Sequence, residues 1–322
     1  MSNWQAVRWV WGVPVLVMLL AAMSLSGGSL DRVQAGEGGP SPTLPPTQGD
    51  IPDGFDGRRD TPHFVLLWRP GETTHDEIDA AAAHAEILFA RLAAELGPAR
   101  TPQARLILLF EGDGLSSAGQ LQLTHNDNAG RVHLFRYPGP GRGYVSKLGH
   151  ELVHAFRLDW QRRHRRDPGY GFVEEGFAEL MAIRMEPDAL PFPYYGVPRP
   201  VVVGQWLLTN EAPPLATLLA RHAWLNLHCL IQAYALRGSF FLYLSETFGH
   251  EAVLQLAYTE ERVTPALFAA IFGRDFEALA AEWRAHALRQ FWTVPEAPRL
   301  AQTYREQTPA KHIYVCQAGK DY

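Results

Sequence analysis

Cysteine is scarce in this chain, and the short motifs of two large enzyme classes are missing. The 322 residues include two cysteines, Cys229 and Cys316. Neither has metal-ligand spacing or lies in a nucleophile motif. The sequence is compatible with a disulfide between the two cysteines and with a buried free thiol at Cys229. The sequence also lacks a glycine-rich phosphate loop and a Gly-x-Ser-x-Gly elbow. These absences argue against a P-loop nucleotide-binding protein and against a serine hydrolase.

An excess of positive charge is also lacking. The formal net charge is -5, which argues against a nucleic-acid-binding protein. The one basic cluster, 162–166, is better explained as a solvated loop or helix end than as a phosphate-binding patch. Hydrophobic residues make up 47% of the chain, enough for a core in one large or two small domains.

Long apolar runs are rare, and the clearest one lies at the N-terminus. Residues 9–25 carry no charge and follow Arg8, and Val33 and Ala35 fit a secretory cleavage site. We therefore predict that residues 1–35 are a signal peptide, with an uncleaved membrane anchor as the alternative. In both cases most of the protein lies outside the cytoplasm. Residues 36–62, rich in Gly, Pro and Asp, are predicted to be a linker.

The sequence His150-Glu151-Leu152-Val153-His154 is an HExxH motif. On a helix over roughly 144–159, the two histidines lie one turn apart on one face, so their imidazoles can converge on a single ion. Two imidazoles and a carboxylate leave a fourth tetrahedral position of Zn²⁺ for water. Glu151 would border that water and accept its proton as general base.

A second acidic motif supplies the missing ligand. The run Phe172-Val173-Glu174-Glu175-Gly176-Phe177-Ala178-Glu179-Leu180 begins soon after the first motif. The 21 positions from His154 to Glu175 are enough to finish one helix, turn back and start another, and the polar run 162–169 predicts the break. Glu174 competes with Glu175 as third ligand. Since Glu174 points about 100° away on a helix, only one of them can share a face with Glu179, and Glu175 does.

Together the two motifs resemble the gluzincins, the zinc peptidases that include thermolysin and leucine-aminopeptidase-like enzymes, and above all the bacterial peptidase MA-like family. The resemblance implies that His150, His154 and Glu175 bind zinc and that Glu151 is the base. It also implies that Glu179 orients a ligand imidazole, a role with independent sense because metal-bound histidines usually donate their other N–H to a carboxylate. For Glu174, either a substrate α-amine contact or a solvated carboxylate stays open.

A third segment, 231–244, is predicted to be a buried helix that ends near Gly249. Peptidase MA-like proteins have a similar Tyr-x-x-x-Gly-Ser-Phe-x-x-Tyr-Leu run, and larger gluzincins use a tyrosine of this helix to stabilise the oxyanion. By that resemblance Tyr234 is the candidate, although the aminopeptidase tyrosine falls nearer Ala235, and core packing is an equal alternative. Gly238 either permits close helix approach or is merely tolerated.

The remaining elements predict an α+β fold. Strands are expected at 63–68, 105–110 and 131–135, and a helix at 76–96 joins the first two as a parallel pair. This small N-terminal mixed sheet with its helix (63–143) would pack on a mainly helical, zincin-like subdomain (144–292), with the active site in the cleft between them. Residues 293–322 show no clear pattern and are predicted to be a tail.

Together these expectations predict an exported, zinc-dependent metallopeptidase whose partner is a peptide or protein substrate. Cleavage as an endopeptidase and cleavage as an exopeptidase both stay open. A non-catalytic, zinc-stapled binding or scaffold protein of the same fold is the alternative; the general base Glu151 argues against it, since a structural site needs none. Intramembrane proteases also use HExxH, but the charges of Arg157 and Asp159 would be costly in lipid.

Overall fold

The computed structural model describes residues 52–111, 125–126, 130–134, 145–164, 171–186, 196–220 and 227–307. All of them belong to one compact unit, Pro42–Tyr322. The predicted signal peptide, most of the predicted linker and Cys316 lie outside the described residues. None of the helices within the described ranges is long and apolar enough to cross a membrane.

The described part of the chain is mixed α and β and mostly helical, as predicted. Its strands are β1 (Gly57–Asp60), β2 (Phe64–Trp68), β3 (Leu106–Phe110), β4 (His125–Asn126) and β5 (Val132–Leu134). Its helices are α1 (His75–Leu96), α2 (Val145–Arg163), α3 (Phe172–Met185), α4 (Arg199–Leu208), α5 (Leu215–Ala220), α6 (Leu227–Phe248), α7 (His250–Ala257), α8 (Pro265–Phe272), α9 (Phe276–Thr293) and α10 (Ala297–Gln307).

The five strands form one sheet in the order β1-β2-β3-β5-β4. The predicted parallel pair is confirmed: β2 and β3 run parallel, with Leu66 opposite Leu108, and β3 and β5 are parallel too. β1 and β4 lie at the edges and run antiparallel to their neighbours. All five residues of β3 are buried, as expected for a central strand covered on both faces.

Helix α1 connects β2 to β3 and packs on the sheet. Its N-terminus has a capping box: the Thr74 hydroxyl accepts a hydrogen bond from the Glu77 N–H, and the Glu77 carboxylate accepts one from the Thr74 N–H. Gly97, with φ of 77°, follows its last turn. Ile78, Leu88 and other buried residues of α1 face the core, so the predicted helix is confirmed within one residue of its start.

Helices α2, α3 and α6 form the centre of the helical part. α3 contacts both α2 and α6 extensively. Gly176 allows the close approach of α6, because a Cβ at this position would lie 2.4 Å from Phe241 Cδ2. Phe172, at the start of α3, packs in an aromatic cluster that joins α3 to α6, α8 and α9. Its other members are Phe240, Phe241, Phe268 and Phe276.

Two elements differ from the sequence-based expectation. β1 lies inside the segment predicted as a linker; its residues pair with β2, and Arg105 NH1 donates a hydrogen bond of 2.9 Å to Asp60. α10 lies inside the predicted tail. Its buried residues Ala297, Ala301 and Tyr304 face α4 and α9, and the Tyr304 ring meets Trp206 edge-on. Backbone pairing and apolar burial therefore extend the fold beyond both predicted boundaries.

Candidate metal centre

Helix α2 presents His150 and His154 on one face, one turn apart. Between and beside them, Leu152, Val153 and Phe156 are fully buried, so packing fixes the rotation of the helix about its axis. Both histidines are themselves buried, with 6% and 9% of their surface exposed. Buried imidazoles need polar partners, and the neighbouring helix α3 supplies them.

The reactive atoms of three side chains meet at one point. His150 Nε2 and His154 Nε2 are 3.0 Å apart, and Glu175 Oε2 lies 3.2 Å from the first and 3.4 Å from the second. Within the described ranges, His150, His154 and Glu175 are the group identified as able to hold a metal ion. The three predicted ligands are thus brought together, close enough to bind one ion.

Glu175 is buried and points into the protein because of its place in the first turn of α3. Phe172, Val173 and Phe177 around it are buried in the core, and Gly176 lies against α6. These contacts hold α3 against α6. Since α3 also packs on α2, the Glu175 carboxylate reaches the two imidazoles.

Glu179, which is predicted to orient a ligand imidazole, lies one turn further along α3. Its Oε1 lies 3.1 Å from His150 Nδ1, and its Oε2 accepts a hydrogen bond of 2.9 Å from Arg199 NH2. The contact has room because of Gly238, since a Cβ there would lie 2.8 Å from Glu179 Cβ. Of the two readings of Gly238, close helix approach is therefore the one that the structure supports.

Glu174 is not a solvated carboxylate, and this corrects one of the two readings left open for it. Its exposed fraction is 3%. Its Oε1 lies 3.7 Å from His154 Nδ1 and 3.8 Å from Arg157 NH1. On the helical wheel Glu174 points away from Glu175, yet it reaches the far side of the second imidazole. Each of the two histidines thus has its own carboxylate, and each carboxylate has its own arginine.

The carboxylates make this centre attractive to positive charge. Burial alone would lower the pKa of His150, but hydrogen bonds to Glu175 and Glu179 outweigh it and raise the pKa to about 9. For His154, burial is likewise outweighed by Glu175 and Glu174, and its pKa is raised. Burial would raise the pKa of Glu175, but the two imidazoles hold it well below its usual range.

Glu151 and Tyr234 both interact with the histidines of this group. Glu151 is buried on α2, with 8% exposed, and its negative charge raises the pKa of both His150 and His154. The Tyr234 ring meets the His150 ring edge-on, with centroids 5.7 Å apart. Burial and the charges of Glu175 and Glu151 raise the pKa of Tyr234, so its hydroxyl keeps its proton and can donate a hydrogen bond.

Three arginines near the centre were not predicted. Arg157 follows His154 by three residues, and only that helical spacing could have indicated it. Arg199 comes from α4, 20 residues after Glu179, with no local pattern that links them. Arg237 lies one turn after Tyr234 on α6.

Comparisons with protein-family models, with curated proteins and with solved structures found no match for this chain. Membership of the peptidase MA-like family therefore stays a prediction carried by its motifs.

Proposed function

We propose that this protein is an exported, zinc-dependent metallopeptidase that hydrolyses peptide bonds. The observation that carries the proposal is the convergence of His150 Nε2, His154 Nε2 and Glu175 Oε2 at separations of 3.0 to 3.4 Å. Glu151 is buried, and its charge acts on both imidazoles. Hydrolytic zinc centres typically have three protein ligands of this kind and a nearby carboxylate that acts as general base.

The spacing supports zinc in particular. Ligand atoms about 2.0–2.1 Å from a tetrahedral ion lie about 3.3 Å from one another, which the three measured separations bracket. Two imidazole nitrogens with one carboxylate oxygen suit zinc better than magnesium or calcium, which prefer oxygen ligands throughout. Three protein ligands leave the fourth tetrahedral position for substrate or water.

When bound, zinc would polarise the scissile carbonyl and make water a stronger nucleophile at neutral pH. Glu151 would accept the proton of the attacking water and then donate it to the leaving amine. Burial of Glu151 excludes bulk water from this transfer. Tyr234, whose ring contacts His150, would donate a hydrogen bond to the oxygen that develops negative charge.

The remaining charged groups would hold the ligands in place. Glu179 lies between His150 and Arg199, and a carboxylate in this position fixes the orientation of a ligand imidazole and increases its basicity. Glu174 lies in the corresponding position between His154 and Arg157. Both pairs set the ring orientation without contacting the substrate.

The sheet offers a surface for an extended peptide. β4 is one of the two edge strands, and α2 contacts both β4 and β5, so this edge adjoins the helix that carries the HExxH motif. A substrate could add to the edge as a further strand, with its scissile bond in the cleft between the sheet and the helices. Such an arrangement would be the zincin-like organisation that the motifs predict, and residues 1–35 would direct the protein out of the cytoplasm.

The test measures zinc content and cleavage of a broad peptide library for the wild type and for Glu151→Gln. We expect about one bound zinc in both proteins and cleavage in the wild type alone, because the amide cannot accept the proton. Glu251→Gln, on a side chain with 81% exposed, is the matched control and should cleave normally.

Undiminished cleavage by Glu151→Gln would exclude the mechanism. A protein that holds zinc but cleaves no peptide would instead support the zinc-stapled scaffold.

A further inference from the structure

Arg237 is a buried cation that forms no ion pair with a carboxylate among the residues that the structure describes. Only 2% of its surface is exposed. Its Nε has no hydrogen-bond partner, and the hydrogen bond found for its guanidinium within the described ranges is a long one, 3.5 Å from NH2 to the Leu218 carbonyl. A buried guanidinium is costly unless it is paired, so an arginine in this state indicates an anionic partner that comes from elsewhere.

The side chain lies next to the candidate metal centre. On α6 it follows Tyr234 by three residues, and the Tyr234 ring contacts His150. Its guanidinium carbon stands 5.9 Å from the centre of the Phe172 ring, and Phe172 precedes Glu175 by three residues on α3. Burial lowers the pKa of Arg237, and the charge of Glu175 opposes that shift. The guanidinium therefore lies at the start of the helix that carries Glu175, close enough for the two charges to interact.

The charges around the centre leave this place electropositive. Glu174 is matched by Arg157 and Glu179 by Arg199. Of the charged groups described around the centre, Glu151 and Glu175 would then face the two positive charges of a bound zinc ion, and Arg237 would be left in excess. Glu175 Oε2 is already committed to His150 and His154. One further negative charge would balance the site.

We propose that Arg237 binds a carboxylate of the substrate beside the scissile bond, which makes the enzyme selective for acidic peptides. The planar guanidinium is suited to a carboxylate because it can donate two parallel hydrogen bonds. The carboxylate is either the free C-terminus of the peptide or an aspartate or glutamate side chain. This inference rests on the proposed peptidase function, which it deepens by naming the class of substrate.

The test is a binding measurement, so that it does not depend on turnover. Zinc-loaded full-length Glu151→Gln protein would be titrated by calorimetry with acetyl-Ala-Ala-Ala as free acid and as amide. A second pair, acetyl-Ala-Glu-Ala-amide and acetyl-Ala-Gln-Ala-amide, tests the side-chain carboxylate. We expect one acidic peptide to bind roughly ten- to a hundredfold tighter than its neutral counterpart, as a hydrogen-bonded charge contributes.

Adding Arg237→Met should abolish this preference, while Arg237→Lys, which retains the charge, should keep part of it. Arg284→Met is the matched control: Arg284 also donates to a helix carbonyl, that of Leu207, and the preference should survive its loss. Zinc content and circular dichroism establish that each variant is folded and loaded. Loss of a cation near the metal should not reduce zinc content.

Equal binding of acidic and neutral peptides by the Glu151→Gln protein would overturn the inference, even if Arg237→Met failed to fold. So would a preference that persists in Arg237→Met. A wild type that cleaves no peptide would count against the proposed function and leave the binding comparison intact, so the two failures are distinguishable.

Discussion

The contact between Glu179 and His150 provides a direct test of how the candidate centre holds its metal. In the variant Glu179→Gln the side chain keeps its shape but loses the negative charge that faces His150 Nδ1 at 3.1 Å. The amide would also break the ion pair with Arg199, whose NH2 donates to Glu179 Oε2 at 2.9 Å. The buried guanidinium of Arg199, 15% exposed as a side chain, would then repel a cation bound to His150.

We expect zinc to bind Glu179→Gln about 10- to 100-fold more weakly, the usual effect of removing the carboxylate behind a ligand histidine. This corresponds to about 1.4 to 2.7 kcal/mol of binding free energy. Competition with a fluorescent chelator of known zinc affinity measures the dissociation constant. His150→Ala, which removes a ligand outright, should bind far less tightly than either protein.

The matched control is Glu186→Gln. Glu186 follows α3 and its Oε1 lies 3.0 Å from His84 Nε2, so it also forms a carboxylate–histidine contact, with 11% of its side chain exposed, but its histidine is not a predicted ligand. Zinc affinity should not change in this variant. If Glu179→Gln bound zinc as tightly as the wild type while His150→Ala did not, Glu179 would have no part in orienting the ligand.

Two further predictions concern stability. Gly176→Ala should lower the free energy of unfolding by about 1 to 3 kcal/mol, measured by urea denaturation, because its Cβ would lie 2.4 Å from Phe241 Cδ2. Gly171→Ala, where nothing lies within 4 Å, should cost clearly less, because it loses only the preference for glycine at the N-cap of α3; equal stability of both variants would refute the packing argument. In chelator-treated protein the pKa of His150 is raised to about 9, so the protonated imidazole stabilises the folded state. This contribution is complete below the pKa of about 6.5 that histidine has in the unfolded chain. That contribution disappears as pH rises to 9, so unfolding should become easier across this window while zinc affinity increases; a flat stability profile would contradict it.

The ligand set could be predicted because its information is local. Positions i and i+4 of a helix share a face whatever the rest of the protein does, so the HExxH motif places His150 and His154 together from the sequence alone. Glu175 and Glu179 obey the same rule on α3. The only non-local step was that α2 and α3 are neighbours, and the 21 residues from His154 to Glu175 leave little choice.

The outer groups could not be predicted, because they depend on tertiary contacts. Arg199 reaches Glu179 from a different helix, and no spacing in the sequence connects the two. The contact between Glu174 and His154 could not be predicted either, because the angular spacing of residues on α3 carries no information about the imidazole that α2 brings to that side. β1 could not be predicted because three of its four residues are exposed, which leaves no hydrophobic pattern. α10, in contrast, could have been predicted from the helical spacing of Ala297, Ala301 and Tyr304.

The buried charges show why the outer shell matters to the proposed function. Six charged side chains, besides the three predicted ligands, are at least four-fifths buried around the centre; they are Glu151, Glu174, Glu179, Arg157, Arg199 and Arg237. An apolar shell of the same volume would often be at least as stable as buried ion pairs, so stability alone does not account for them. Each imidazole has a carboxylate behind it, and each of those carboxylates an arginine, an arrangement that fixes ring orientation in a site that excludes water. Within the described part of the chain Arg237 forms no such ion pair, and that difference is why we propose it as a substrate contact and not as part of the support.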